Sequence, residues 1–338
     1  MKVLITGGAG YVGSHFILEL LVAGHEVVIL DNFSNSSPES IVRVGTLSGK
    51  VPAFIRGDIC DSALLDRIFL EHRIDKVVHF AGLKAVGESV SSPIRYYENN
   101  VIGSLVLFRA MSKANVFNIV FSSSATVYGE PEQMPISEAA PVGSPNSPYG
   151  RSKLIVENVL RDMAVSDNRW AIAILRYFNP IGAHESGFIG EDPNGVPNNL
   201  LPYLSQVAVG KLDALSIYGD DYPTVDGSGV RDYVHVVDLV KGHVAALNYL
   251  DGSVGFHVWN LGSGVGYSVF QVVKAFETVI GRSILLEIKP RRSGDIAICW
   301  ADTTKAKMEL GWIATLGLER MVEDTWRWQI NNPNGYKR

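Results

Sequence analysis

The chain has 338 residues, 46% of them hydrophobic and 19% charged, and a formal net charge of −5. That balance excludes a disordered chain and suits one large or two ordinary domains. A mildly acidic total gives no general attraction to nucleic acid or to an anionic membrane, so neither is expected as a partner.

In chain order, residues 2–6 read as a short strand and 13–23 as a helix with Phe16, Ile17, Leu20 and Leu21 on one face. Strands follow at 26–30 and 53–56, a helix at 62–71 and a strand at 76–80. A long helix is predicted over 93–113, a strand over 118–122, a helix over 147–164 and a strand over 171–176. This alternation, with strands apolar throughout, predicts an α/β fold: a doubly wound parallel sheet covered on both faces. Past about residue 180 the character changes. Stretches 182–202 and 219–229 are rich in Gly, Pro, Asn and Asp and read as functional loops. Helix 233–250, strand 256–261 and helix 268–280 come next. The expected division is a dinucleotide-binding domain over 1–180 and a smaller C-terminal α/β domain over 181–338, with part of 233–260 returning to the first. Cys60 and Cys299 fit no disulfide framework and no metal spacing, so no metal is expected and a reducing, cytoplasmic setting is.

Gly7, Gly10 and Gly13 lie between the first strand and the first helix. Small residues there let the backbone approach a pyrophosphate, and the helix N-terminus offers free N–H groups and a positive dipole end. Asp31 ends the second strand, 18 residues after Gly13, where a carboxylate accepts from the adenosine ribose hydroxyls and repels a 2′-phosphate. NAD is therefore expected rather than NADP. Asp58 is a second adenine-side candidate. Asn260 to Gly266 resembles a phosphate loop, but the first fingerprint already accounts for the cofactor, so it is read as structural.

Tyr149 and Lys153 are one turn apart on a helix that Ser147 caps and Pro148 opens. A free phenol, with a pKa near 10, is a poor base at neutral pH, and an ammonium beside it, helped by the positive nicotinamide ring, favours the phenolate. Bringing it to about 7 takes about 4 kcal/mol. Ser124, past the fifth strand, is placed to bridge Tyr149 and a substrate hydroxyl. Arg231 and Arg292, in loop-like segments, suit a pyrophosphate, and Asp295 suits a ribose.

Together these segments, with Phe80-Ala81-Gly82-Leu83-Lys84, residues 175–180 and 197–200, and Arg291 to Asp295, carry a resemblance over essentially the whole chain. The sequence resembles the extended short-chain dehydrogenase/reductase superfamily and, within it, the UDP-glucose 4-epimerase family. The resemblance implies that Tyr11, Val12, Asp31, Asn32, Asp58, Ile59, Phe80, Ala81, Gly82, Lys84, Asn99, Lys153 and Tyr177 line NAD. Ser124 and Tyr149 would flank the sugar C4 hydroxyl. Lys84, Phe178, Asn179, Asn199, Leu200, Tyr218, Arg231, Arg292, Asp295 and Cys299 would hold the UDP-sugar. The implied reaction inverts C4 of a UDP-hexose, UDP-galactose to UDP-glucose, through a transient 4-keto sugar and bound NADH. Cys299 stands where some members carry a tyrosine beside the sugar C2 substituent, so the N-acetylated sugars are expected to fit too. A homodimer is the family habit. A 4,6-dehydratase would need an Asp-Glu pair where Ala125 and Thr126 stand. A simple dehydrogenase would release its reduced cofactor, and a non-catalytic NAD-sensing module would not need Tyr149 and Lys153 intact.

Overall fold

Apolar runs such as Val3-Leu4-Ile5 and Val27-Val28-Ile29-Leu30 suit strands covered on both faces. The computed structural model describes residues 1–292 and 295–337; Ser293 and Gly294, within the resembling segment 291–295, lie outside the described residues. The strands are β1 (Lys2–Thr6), β2 (Glu26–Asp31), β3 (Ala53–Arg56), β4 (Lys76–His79), β5 (Asn118–Ser124), β6 (Ala171–Tyr177) and β7 (Asn179–Ile181). They continue as β8 (Leu215–Tyr218), β9 (Val230–His235), β10 (Gly255–Leu261), β11 (Gly266–Ser268), β12 (Leu286–Lys289) and β13 (Ile298–Cys299). Two compact units result: residues 1–130, 139–177 and 240–259, and residues 131–138, 178–239 and 260–338.

In the first unit the strand order is β3-β2-β1-β4-β5-β6, with β10 beyond β6. All pairs from β3 to β6 are parallel. The order reverses between β1 and β4, and open α/β sheets bind ligands at such a reversal, off the strand C-termini. Helix Tyr11–Val22 buries Phe16, Ile17, Leu20 and Leu21 as its spacing predicts. Leu65, Ile68, Leu107, Met111 and Leu160 pack with Leu4, Val28 and Ile119 in another cluster. Each such side chain contributes about 1.5–3 kcal/mol.

The predicted long helix 93–113 is interrupted. Pro93–Tyr96 and Gly103–Lys113 are α-helical, and Tyr97–Ile102 between them forms a wider π-turn. Asn100 lies in this turn: its Oδ1 accepts from the Leu83 amide at 2.8 Å, and its Nδ2 donates to the Leu83 carbonyl at 3.0 Å, which ties the turn to the segment after β4.

The second unit is organised around β9, paired with β7, β11 and β13; β8 pairs with β12. The predicted helix 233–250 begins too early, because Tyr233 to His235 belong to β9 and the helix is Val236–Tyr249. Long-range polar contacts make the strand. The Asp232 carboxylate accepts from the Ser263, Gly264 and Ala301 amides, and Asp324 bonds to His235. The predicted loop 182–202 ends in helix Leu200–Ala208. Leu201, Leu204, Ile217, Tyr233, Phe276 and Met321 fill this unit's core. Among the described residues no helix is long and apolar enough to cross a membrane.

Candidate active site

The glycine-rich turn leaves the C-terminal end of β1 beside that of β4. Gly7 has φ +70°, and a Cβ on it would stand 2.6 Å from the Ala81 amide nitrogen. A Cβ on Gly13 would stand 2.5 Å from the Gly7 carbonyl oxygen. The protein's own packing therefore demands both glycines. Gly10 differs: its Cβ would meet only the Gly7 oxygen, at 3.3 Å. Gly10 precedes helix Tyr11–Val22, which has no side-chain cap and no acidic residue in its first turn. Open space in front of uncapped N–H groups is what a phosphate requires, so the cradle fits a dinucleotide pyrophosphate.

Asp31 is buried at the end of β2. Its Oδ1 accepts from the Phe33 amide and the Ser36 hydroxyl, and its Oδ2 accepts from the Ala9 amide at 2.9 Å. The carboxylate thus braces the glycine turn and keeps a lone pair on Oδ2 for a ribose hydroxyl. Asp58 accepts from Asn32 at 2.8 Å and from the Cys60 amide at 2.9 Å. Burial works against its charge, but these donors hold its carboxyl below the usual range.

Ser147 accepts from the Gly150 amide at 3.1 Å and Pro148 opens the helix Pro148–Ser166, as predicted. Lys153 Nζ lies 6.0 Å from the centre of the Tyr149 ring and donates to the Ser122 carbonyl at 2.7 Å. Ser124 ends β5, and its Oγ accepts from the Thr126 hydroxyl at 3.0 Å. Burial pushes the Tyr149 phenol up, and a hydrogen bond from Ser124 opposes this. Burial brings the Lys153 ammonium down to about 8, with the Glu157 carboxylate opposing. In the protein alone, burial is the larger influence on the Tyr149 phenol.

Buried polar groups that no sequence motif marks surround this set. His79 bonds Thr6 at 2.8 Å and Ser104 at 2.9 Å, and burial followed by the Lys153 charge brings it to about 3, so it is neutral. Asn100 donates to Ser152, which donates to the Tyr149 carbonyl at 2.7 Å. A Cβ on Gly82 would stand 3.3 Å from Asn100 Oδ1 and 3.6 Å from Lys153 Nζ. Tyr177, at the end of β6, bonds His243, whose ring lies 5.0 Å from that of Phe80. Lys84 Nζ sits 6.0 Å from the centre of the Tyr11 ring. The adjacent Asn99 and Asn100 are a visible signal, and sequence reasoning singles out only the first.

In the second unit, Arg231 lies on β9 rather than in a loop, donates to the Val230 carbonyl at 2.9 Å and pairs across the ladder with Cys299. Arg292 bonds Asp295 at 2.9 Å, and its guanidinium carbon lies 4.6 Å from the centre of the Tyr218 ring. Asn199 precedes Leu200 at the start of helix Leu200–Ala208, and its amide donates to Glu191 at 2.7 Å. Asn179 lies on β7 opposite Tyr233, and the buried Phe178 donates its amide to the Leu261 carbonyl. Burial pushes the half-buried Cys299 thiol up to about 11. The phosphate-loop look of 260–266 is explained: the Ser263 and Gly264 amides are taken by Asp232.

A parallel sheet with this reversal, a glycine cradle beside it, Ser124 at the end of β5, and Tyr149 and Lys153 on the helix Pro148–Ser166 define an extended short-chain dehydrogenase/reductase. The GDP-mannose 4,6 dehydratase family matches residues 4–325. The UDP-glucose 4-epimerase of Haemophilus influenzae is 59% identical over 337 residues, 100% of each chain. The crystal structure of UDP-glucose 4-epimerase from Bifidobacterium longum in complex with NAD+ and UDP superposes with a TM-score of 0.97 at 55% identity, covering 99% of this chain and 100% of that one. That of the Stenotrophomonas maltophila enzyme, with NAD and formylated UDP-arabinopyranose, gives 0.96 at 48% identity, covering 98% and 99%. The chain belongs to the UDP-glucose 4-epimerase family. The full-length relatives at 58–59% identity are UDP-glucose 4-epimerases, so the dehydratase alternative within the broader match is not favoured.

Proposed function

We propose that the chain is an isomerase that inverts C4 of a UDP-hexose, interconverting UDP-galactose and UDP-glucose, with NAD as its resident cofactor. The observation that carries this is the gathering of Tyr149, Lys153 and Ser124 from one helix and one strand end. Bound NAD supplies the redox chemistry at the sugar carbon. Gly10 and the uncapped helix take its pyrophosphate, and Asp31 takes an adenosine ribose hydroxyl. Asn32, Asp58, Ile59, Phe80, Ala81, Lys84, Asn99 and Tyr177 line the rest, with Tyr11, Val12 and Gly82.

Tyr149 takes the C4 hydroxyl proton and returns it, and Ser124 bridges the two oxygens. Burial opposes the phenolate in the protein alone. The Lys153 ammonium beside the ring and the positive nicotinamide ring of the loaded site together favour it. Residues of the second unit, Arg231, Arg292, Asp295, Asn179, Asn199, Leu200, Tyr218 and Phe178, are assigned to the uridine diphosphate, whose charge suits the two guanidinium groups. Tethering by the nucleotide leaves the sugar free to turn over between the two halves of the reaction. Purified protein given UDP-galactose forms UDP-glucose with no added oxidant; failure to do so overturns the reading.

The same site is proposed to take the N-acetylated sugars through Cys299. A homodimer is proposed as well. Ile94, Ile102, Leu105 and Ile155 are exposed on the helical segments Pro93–Lys113 and Pro148–Ser166, and a second copy would cover them. The free thiols Cys60 and Cys299 agree with a cytoplasmic setting.

A further inference from the structure

Tyr149, Lys153 and Glu157 succeed one another at four-residue spacing along one helix, so all three lie on one face. Glu157 is fully buried, and the partners of its carboxylate, Ser123 and Arg176, are assigned to neither cofactor nor substrate. Its Oε1 accepts from the Ser123 hydroxyl at 2.5 Å and from Arg176 Nε at 3.1 Å, and its Oε2 accepts from Arg176 Nη2 at 2.7 Å. Ser123 and Arg176 are opposite each other on β5 and β6, and the next pair in that ladder is Ser124 with Tyr177. The Arg176 guanidinium carbon also lies 4.8 Å from the centre of the Tyr128 ring, in the turn that Ser124 begins.

We propose that Glu157 is a positioning residue for the catalytic set: through Ser123 and Arg176 it ties the helix bearing Tyr149 and Lys153 to the strand ends bearing Ser124 and Tyr177. The proposal rests on the epimerase reading for its kinetic arm. A buried ion pair is seldom the most stable filling for such a space, since apolar side chains of similar volume do as well or better. Fixed geometry is the gain that stability does not explain. Four groups drawn from three elements must agree within a fraction of an ångström, and misplacement by about 1 Å costs about 100-fold in rate.

The carboxylate also acts through space. The titratable groups near the Lys153 ammonium are Glu157 on its own helix, itself paired with Arg176 on β6, His79 on β4, and Tyr149, whose phenol in turn faces that of Tyr177. His79 is neutral, and burial holds both phenols protonated in the free protein. Glu157 is thus the anion that keeps Lys153 charged against its burial.

Glu157→Gln keeps shape and acceptor and removes the charge. Its expected kcat on UDP-galactose is 10- to 100-fold lower, with KM within about two-fold. The alkaline fall of kcat moves to lower pH by about one unit. A second readout needs neither cofactor nor turnover. Folded Lys153 releases its proton before the unfolded chain does, so stability rises with pH above about 8. In Glu157→Gln that rise begins at lower pH. Should this variant not fold, the double variant Glu157→Met/Arg176→Met, which buries no lone charge, and Ser123→Ala, which removes one hydroxyl, carry the test. Both are expected to bind NAD and to turn over several-fold more slowly, and Ser123→Thr is expected to restore the rate. Wild-type kcat in the double variant, or an unchanged onset of the alkaline rise in Glu157→Gln, overturns the proposal. A wild-type protein inactive on every UDP-hexose instead overturns the epimerase reading, and the unfolding measurement still tests Glu157.

Discussion

Lys153 approaches the face of Tyr149 without bonding to its hydroxyl: the ammonium lies 6.0 Å from the ring centre and gives its hydrogen bond to the Ser122 carbonyl. The lysine therefore works on the phenol through space, and the phenol's bond is to Ser124. Tyr149→Phe removes the atom that carries the proton and leaves the packing of the ring. Proton transfer by a placed side chain contributes about 100- to 10,000-fold. Turnover of UDP-galactose is expected to fall by that much, with a melting temperature close to wild type. Near-normal turnover would show that another group is the base.

Lys153 also carries a stability cost that pH reveals. Its folded-state value, about 8, lies below the usual 10.5, so the folded protein holds it charged at a penalty below about pH 8. The difference corresponds to about 3 kcal/mol, offset by about 1 kcal/mol for the bond to Ser122. Lys153→Met is expected to be inactive yet about 1–2 kcal/mol more stable than wild type at neutral pH. Between about pH 8 and 10.5 wild type regains the difference, because both side chains are then uncharged. Denaturant unfolding across that range checks the sign; a variant less stable at pH 7 would refute it.

The glycines of the cradle separate fold from binding. At Gly7, with φ +70° and the Ala81 nitrogen 2.6 Å from a new Cβ, alanine is expected to cost about 2–4 kcal/mol of stability. At Gly10, where little but the Gly7 oxygen is near, Gly10→Val is expected to fold with a near-normal melting temperature. It nevertheless fills the space before the helix N-terminus, so the purified variant should carry little or no NAD by absorbance and cofactor extraction. A Gly10→Val protein that retains full NAD would mean that the pyrophosphate lies elsewhere.

What is legible in the sequence is local. The glycine spacing, Asp31 at the strand end, and Tyr149 with Lys153 depend on neighbours along the chain, so periodicity and turn chemistry reveal them. Strand β9 escapes such reading because Asp232 and His235 look like surface residues, and only distant partners, the Ser263 and Ala301 amides and Asp324, satisfy them in the interior. The π-turn at Tyr97–Ile102 is hidden for a similar reason: Asn100 bonds Leu83 and Ser152, far along the chain. Glu157 is within reach, since it continues the spacing of Tyr149 and Lys153, but its meaning depends on Arg176, 19 residues on.

Cys299 offers a test of substrate range. It lies on β13 in register with Arg231, half-buried, and its thiol is pushed up to about 11, so it is uncharged and unreactive at neutral pH. Its contribution is then its size. On the proposed placement of Cys299 beside the sugar C2 substituent, a phenol there would fill volume that an acetamido group would otherwise take, and overpacking costs about 1–3 kcal/mol. Wild type is expected to interconvert UDP-N-acetylgalactosamine and UDP-N-acetylglucosamine, and Cys299→Tyr to lose that activity by about 10- to 100-fold while keeping turnover of UDP-galactose. Equal rates of wild type and variant on the acetylated sugars would show that the thiol sets no limit on the pocket.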